Sequence, residues 1–237
     1  MSGMIPSVIL ALDVEDKNRA RSVLQATGDR LEWVKIGLQT YLRDGPDFVR
    51  EVADSGKKVF LDLKLHDIPN TMCKALESLA SLPIGMLTLH ASAGPQALNK
   101  CAEVANELMP DTLLLAVTVL TSMDEQALSA IGINVSTDEQ VDRLATLASN
   151  SGIGGIVCSP LELTRLRPLL PVDMKLVTPG IRPTGSAVGD QKRIMTPADA
   201  RAAGADYLVI GRPILSQKDP ALALEAIQAE LNLPSTD

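Results

Sequence analysis

The residues of this chain best suited to chemistry fall in one short run, Asp62-Leu63-Lys64-Leu65-His66-Asp67. Carboxylates and an ammonium this close together supply an acid, a base and a fixed cation. A lysine held beside carboxylates can serve as a fixed cation and as a general acid. In an extended strand, side chains alternate faces, so Asp62 and Lys64 share a face with Phe60, while Leu61 and Leu63 share the other. Charges on an interior face are costly unless paired. One reading is an Asp62–Lys64 ion pair that plugs the interior. However, Asp13 ends Leu10-Ala11-Leu12-Asp13, and Lys35 stands in Trp33-Val34-Lys35-Ile36-Gly37. Both close neighbouring apolar runs and approach the same rim, and so many charges at one rim are hard to explain as packing.

Other polar residues also follow apolar runs. Thr121 and Ser122 occur in Val119-Leu120-Thr121-Ser122-Met123. Thr178-Pro179-Gly180-Ile181-Arg182-Pro183 is followed by a Gly- and Ser-containing stretch and then Gln191-Lys192-Arg193. Ile210-Gly211-Arg212-Pro213 comes last. Glycine lets backbone N–H groups approach an anion and arginine grips its oxygens, so these are parts of a phosphate site. Turn glycines and solvated arginines are the plainer reading of each one taken alone. No G-x-x-x-x-G-K-[ST] loop is present, and Gly152 to Gly155 is not a dinucleotide fingerprint.

The elements that must position these residues recur steadily. Val8–Leu12, Trp33–Ile36, Val59–Leu63, Met86–Leu89, Leu113–Val119, Gly155–Val157, Leu176–Val177 and Tyr207–Ile210 read as short buried strands. Arg19–Ala26, Phe48–Asp54, Thr71–Leu82, Gln96–Leu108, Val141–Asn150 and Pro220–Leu231 show helical apolar spacing. Asp219-Pro220 supplies a capping residue and a first-turn proline to the last of these. The repeat of about 30 residues matches a βα unit. The expected fold class is therefore α/β, a single (β/α)8 TIM barrel over residues 1–237, with catalytic residues at the carboxyl ends of the strands. A doubly wound open sheet is the structural alternative.

Composition narrows the function. The chain has 237 residues, 46% hydrophobic and 2% aromatic, with a formal charge of −7. An acidic balance argues against a nucleic-acid coat, and one Trp, two Tyr and two Phe make no stacking platform. Two His and three dispersed Cys leave little material for zinc or a disulfide framework, so Cys73, Cys101 and Cys158 are expected to be reduced and mostly buried. The apolar start of the chain lacks a preceding Lys or Arg and meets Asp13 too soon to span a bilayer. The expectation is a cytoplasmic protein with no membrane or nucleic-acid partner.

Asp62-Leu63-Lys64-Leu65-His66-Asp67-Ile68-Pro69 resembles the D-x-K-x-x-D signature of the orotidine 5′-monophosphate decarboxylase family, including the following Asn70-Thr71. The segments around Asp13, Lys35, Thr121-Ser122, Thr178–Pro183, Asp190–Arg193 and Gly211-Arg212 match its bacterial form in order, along the whole chain. The resemblance implies decarboxylation of orotidine 5′-monophosphate to UMP, with no cofactor and no metal. It implies Lys64, Asp62, Asp67 and Lys35 as catalytic residues, in an alternating array Lys35–Asp62–Lys64–Asp67. It implies Asp13, Lys35, Asp62, Thr71, Thr121, Ser122, Arg182, Gln191, Gly211 and Arg212 as substrate-binding residues. It also implies a homodimer in which Asp67 reaches the partner's site.

Two further expectations concern the surroundings. Gly180–Asp190 reads as a lid that closes on the phosphate. His66 and His90 read as structural histidines. The rival function is a magnesium-dependent sugar-phosphate aldolase or decarboxylase of the same barrel group, in which an acidic residue stands where this chain has Lys35. A barrel that binds nucleotide phosphates without catalysis is a rival of another class.

Overall fold

The computed structural model describes residues 5–184 and 194–233. Eight parallel strands close into a barrel in the order β1 through β8. They are β1 (Ser7–Ala11), β2 (Trp33–Gly37), β3 (Lys58–Leu65), β4 (Ile84–His90), β5 (Leu113–Val117), β6 (Gly155–Val157), β7 (Lys175–Thr178) and β8 (Tyr207–Ile210). The last strand pairs with the first, Leu10 standing opposite Ile210, so the sheet has no free edge. The open-sheet alternative is thereby set aside.

The helices are α1 (Lys17–Thr27), α2 (Leu38–Asp54), α3 (Pro69–Leu79), α4 (Pro95–Leu108), α5 (Glu125–Ala130), α6 (Thr137–Asn150), α7 (Leu163–Leu169), α8 (Pro197–Ala202), α9 (Arg212–Leu215) and α10 (Pro220–Glu230). Their starts follow local chemistry. Asp16, Asp124, Ser136, Thr196 and Asp219 each accept a backbone N–H at a helix start, and Pro69, Pro95, Pro197 and Pro220 occupy first-turn positions where no N–H is needed. The helix read over 48–54 is the second limb of α2. Gly45 at φ 71° followed by Pro46 kinks the element, and the first limb precedes that break. The fifth strand stops at Val117, two residues short of the apolar run.

Strand alternation divides the core. Ile9, Ala11, Trp33, Phe60, Met86, Leu115, Val177 and Val209 fill the barrel interior. Leu10, Val34, Ile36, Leu61 and Leu87 point outward and pack under the helices. Phe60 inside and Leu61 outside bear out the expected facing of β3. A recess at the amino-terminal end, lined by residues such as Trp33, Lys58 and Tyr207, lies on the face opposite the carboxyl ends of the strands. Barrel chemistry belongs to that carboxyl face.

Cys101 and Cys158 are buried and Cys73 is half-buried, and all three are free thiols. Burial pushes the thiols of Cys101 and Cys158 up to about 12, so neither is a thiolate at neutral pH. No helix among the described residues is long and apolar enough to cross a membrane.

Candidate active site

Parallel strands bring every carboxyl end to one rim, which is why residues far apart in sequence meet there. Register places Lys35 beside Phe60 and Gly37 beside Asp62. Lys64 Nζ lies 2.7 Å from both carboxylate oxygens of Asp62. Lys35 Nζ lies 3.7 Å from Asp62 Oδ2 and 3.2 Å from Asp13 Oδ1. The structure thus joins Asp13, Lys35, Asp62 and Lys64 into one chain of alternating charge. Lys35 and Asp62 are buried, at 8% and 9% exposure, whereas the Lys64 side chain is 30% exposed at the mouth. A plug that merely neutralised itself would have no reason to leave its second ammonium facing solvent.

Burial alone would raise the Asp62 carboxyl. The ammonium groups of Lys35 and Lys64, with hydrogen bonds from Lys64 and Thr88, outweigh burial and hold it below its ordinary value. Asp62 is therefore an anion at neutral pH.

Asp67 lies outside this cluster within the chain. It follows the end of β3, is exposed, and accepts the Ile68 N–H at 2.7 Å. The alternating array of a single chain thus ends in Asp13 and not in Asp67. Strand β3 ends at Leu65, so Asp67 is not on the strand that carries Asp62 and Lys64. Thr71 is exposed on the first turn of α3.

Thr121, half-buried, and Ser122, exposed, lie in the turn after β5. After β7, Gly180 takes φ 79°, a left-handed turn that suits glycine, and Ile181 forms a bridge to Met195. Arg182 is only 8% exposed, and its Nη1 donates to the Ile181 carbonyl at 2.8 Å, so it is not a solvated surface charge. Gly211 caps α9, and Arg212 opens that helix, exposed at the rim. Gln191, and the proposed lid beyond Thr184, lie outside the described residues.

Two histidines that had no readable partner have each other. The rings of His66 and His90 stand 5.3 Å apart at 44°. Burial, then His66 and Lys64, depress the His90 pKa against the pull of Asp62, which keeps this imidazole neutral at pH 7.

Sequence reasoning passed over Gly37. A Cβ there would lie 2.8 Å from Lys35 Nζ and 3.2 Å from Asp13 Oδ1. The available signal was its spacing, two residues after Lys35 on the same inward face. Gly37→Ala should push the ammonium off both carboxylates and lower kcat/KM about 10-fold, since small misplacements of site groups are costly. Steady-state kinetics beside a thermal melt checks this. An unchanged kcat/KM would remove the role assigned to Gly37.

Comparison with known proteins identifies the family. The family model described as orotidine 5′-phosphate decarboxylase / HUMPS family matches residues 6–227. Orotidine 5′-phosphate decarboxylase of Opitutus terrae is 51% identical over 96% of this chain and 99% of its own. The enzyme of that name from Vibrio parahaemolyticus is 48% identical over 94% of this chain and 97% of its own. The crystal structure of orotidine 5′-phosphate decarboxylase from Lactobacillus acidophilus superposes with a TM-score of 0.85 at 35% identity, over 97% of this chain and all of that one. Matched nearly end to end in both sequence and fold, the chain belongs to the orotidine 5′-phosphate decarboxylase / HUMPS family.

Proposed function

We propose that this chain decarboxylates orotidine 5′-monophosphate to UMP and carbon dioxide, with Lys64 as the proton donor and with no metal or organic cofactor. The observation that carries the reading is the Lys64 ammonium held 2.7 Å from a buried, ionised Asp62 at the mouth of a barrel of this family. The substrate carboxylate faces Asp62, and their repulsion is relieved as the carbon–carbon bond breaks and carbon dioxide leaves. The electron pair stays on the ring carbon. Lys64 stabilises that charge and then protonates the carbon, giving UMP and a neutral amine that water reprotonates.

The remaining roles follow from chemistry and position. Asp13 and Lys35 suit the ribose hydroxyls. Thr121 suits the ribose–base region and Ser122 the pyrimidine amide edge. Arg182, Gln191, Gly211 and Arg212 suit the phosphate. We assign the chain as one domain over residues 1–237, working in the cytoplasm as a homodimer. Asp67, exposed on this chain, would complete the partner's site, and Thr71 would serve in substrate binding.

A magnesium-dependent reaction on a sugar phosphate is disfavoured by Lys35. Its ammonium lies 3.7 Å from Asp62 and 3.2 Å from Asp13, where the rival reaction has an acidic residue to help hold a dication. The loss of ultraviolet absorbance on decarboxylation tests the two readings. Turnover of orotidine 5′-monophosphate should be unchanged in excess chelator. Activity lost to chelator and restored by magnesium would transfer the site to the rival reaction.

A further inference from the structure

Lys64 holds a conformation that its residue type resists. Its φ of 51° is the only positive φ of a non-glycine residue among those described. The left-handed region crowds a Cβ against the backbone, so such a residue stays there only when its surroundings hold it. What holds it is visible in the β3–β4 ladder. Phe60 pairs with Met86 and Leu61 with Leu87, but the next pair is Leu65 with Leu89. Asp62, Leu63 and Lys64 therefore face a single residue of β4, Thr88. This is a bulge on β3, and bulges re-aim side chains at functional rims.

Inside the bulge, regular pairing no longer serves the Lys64 N–H. It donates to Thr88 Oγ1 at 2.9 Å. The same hydroxyl lies 2.9 Å from Asp62 Oδ1. The direction of both bonds is settled by chemistry. An amide N–H only donates and an ionised carboxylate only accepts, so Thr88 Oγ1 accepts from the first and donates to the second. One hydroxyl thus ties the backbone of Lys64 to the carboxylate that its ammonium grips. Thr88 is fully buried, so it acts through these two residues.

We infer that Thr88 is a positioning residue for the decarboxylation, locking the left-handed backbone of Lys64 and the rotamer of Asp62 into one unit. This rests on the roles proposed above for Lys64 and Asp62. Asp62 is faced by Lys35 from β2, by Lys64 from its own strand, and by Thr88 and the neutral His90 from β4. Of these, Thr88 contributes no charge, so removing its hydroxyl removes two hydrogen bonds and alters geometry without changing the charge around Asp62.

Thr88→Val keeps the branched shape and loses both bonds. The expected result in the full-length enzyme is a kcat lower by about 10- to 100-fold, with KM changed by less than about threefold. Thr88→Ser restores kcat to within about threefold of wild type because it keeps the hydroxyl. A hydrogen bond to the ionised form favours that form, so its loss also moves the acid limb of the kcat profile to higher pH in Thr88→Val. A purely structural threonine would leave that limb in place. Thr88→Cys, a weak donor of similar size, is the second variant and carries the same expectation if the valine protein does not fold. Wild-type kcat in either folded variant, or a loss of kcat with the acid limb unmoved, overturns the inference. Lys64→Ala measured in parallel separates the two layers. If it retains turnover, the catalytic reading itself fails. If it is inactive while Thr88→Val is normal, only the role of Thr88 fails.

Discussion

Alanine at position 64 ends decarboxylation while the nucleotide still binds. The expected loss in kcat is at least about 10⁴-fold, because two separate effects vanish together. General acid catalysis by a positioned group contributes about 10²- to 10⁴-fold, and electrostatic stabilisation of developing charge about 10²- to 10³-fold per group. Neither is supplied by another residue of the cluster. Lys35 is 3.7 Å from Asp62 but also engages Asp13, and it lies deeper in the barrel than Lys64. Binding should change little, since the phosphate and ribose groups are untouched, and the affinity for UMP should stay within about 10-fold. Stopped ultraviolet assays and titration with UMP measure the two quantities. Turnover in Lys64→Ala above about a hundredth of wild type would remove Lys64 from the chemistry.

The same variant carries a stability signature with a definite sign. The Asp62 carboxyl is held below its ordinary value in the folded chain, so its contribution is fully present above the unfolded value of about 3.9. That contribution is lost as pH falls through the folded value. Without Lys64, burial is opposed by Lys35 and Thr88 alone, and the folded value rises. The melting temperature of Lys64→Ala should therefore fall less than that of the wild type as pH drops below the unfolded value, and its decline should end at a higher pH. Coincident pH–melting curves would mean that Lys64 does not hold Asp62 in its ionised form.

The second large effect is one of recognition. Arg212→Ala should weaken UMP about 100-fold and leave uridine within about twofold. Arg212 stands at the rim directly after β8, at the start of α9, where loops of this barrel type bind phosphate. A charge-assisted hydrogen bond is worth about 1.5–3 kcal/mol, which is about 10- to 150-fold, and guanidinium–phosphate pairs are often bidentate. Part of the loss should also appear in kcat, because binding energy from the distant phosphate helps to hold the reacting geometry. Competitive inhibition by UMP and by uridine measures the contrast directly. Equal losses for the two ligands would take the phosphate away from Arg212.

Much of the fold was legible because each strand is short, aliphatic and bounded by polar turns. All eight runs became strands, and each of the six expected helices overlaps one that formed. The other helices among the described residues, α5, α7, α8 and α9, have four to seven residues, too few to show a helical period. Helix α2 was half-read because Gly45-Pro46 is a local stop signal that the tertiary structure carries as a kink.

The sequence by itself determined which side chains face the barrel interior along β2 and along β3 as far as the bulge, since alternation is a property of any extended chain. It also determined the order of charged and glycine-rich rim segments, and through them the family. Only the tertiary structure decided how those residues pair. Lys35 engages Asp13 across 22 residues of sequence, and Thr88 reaches Asp62 across 26. Such contacts depend on strand register, on the bulge in β3 and on the closing of the barrel. No local pattern specifies these, because a shift of one residue would turn every side chain of a strand to the other face. The left-handed backbone of Lys64 belongs to the same class. Nothing in its residue type asks for that conformation, and the neighbouring strand imposes it.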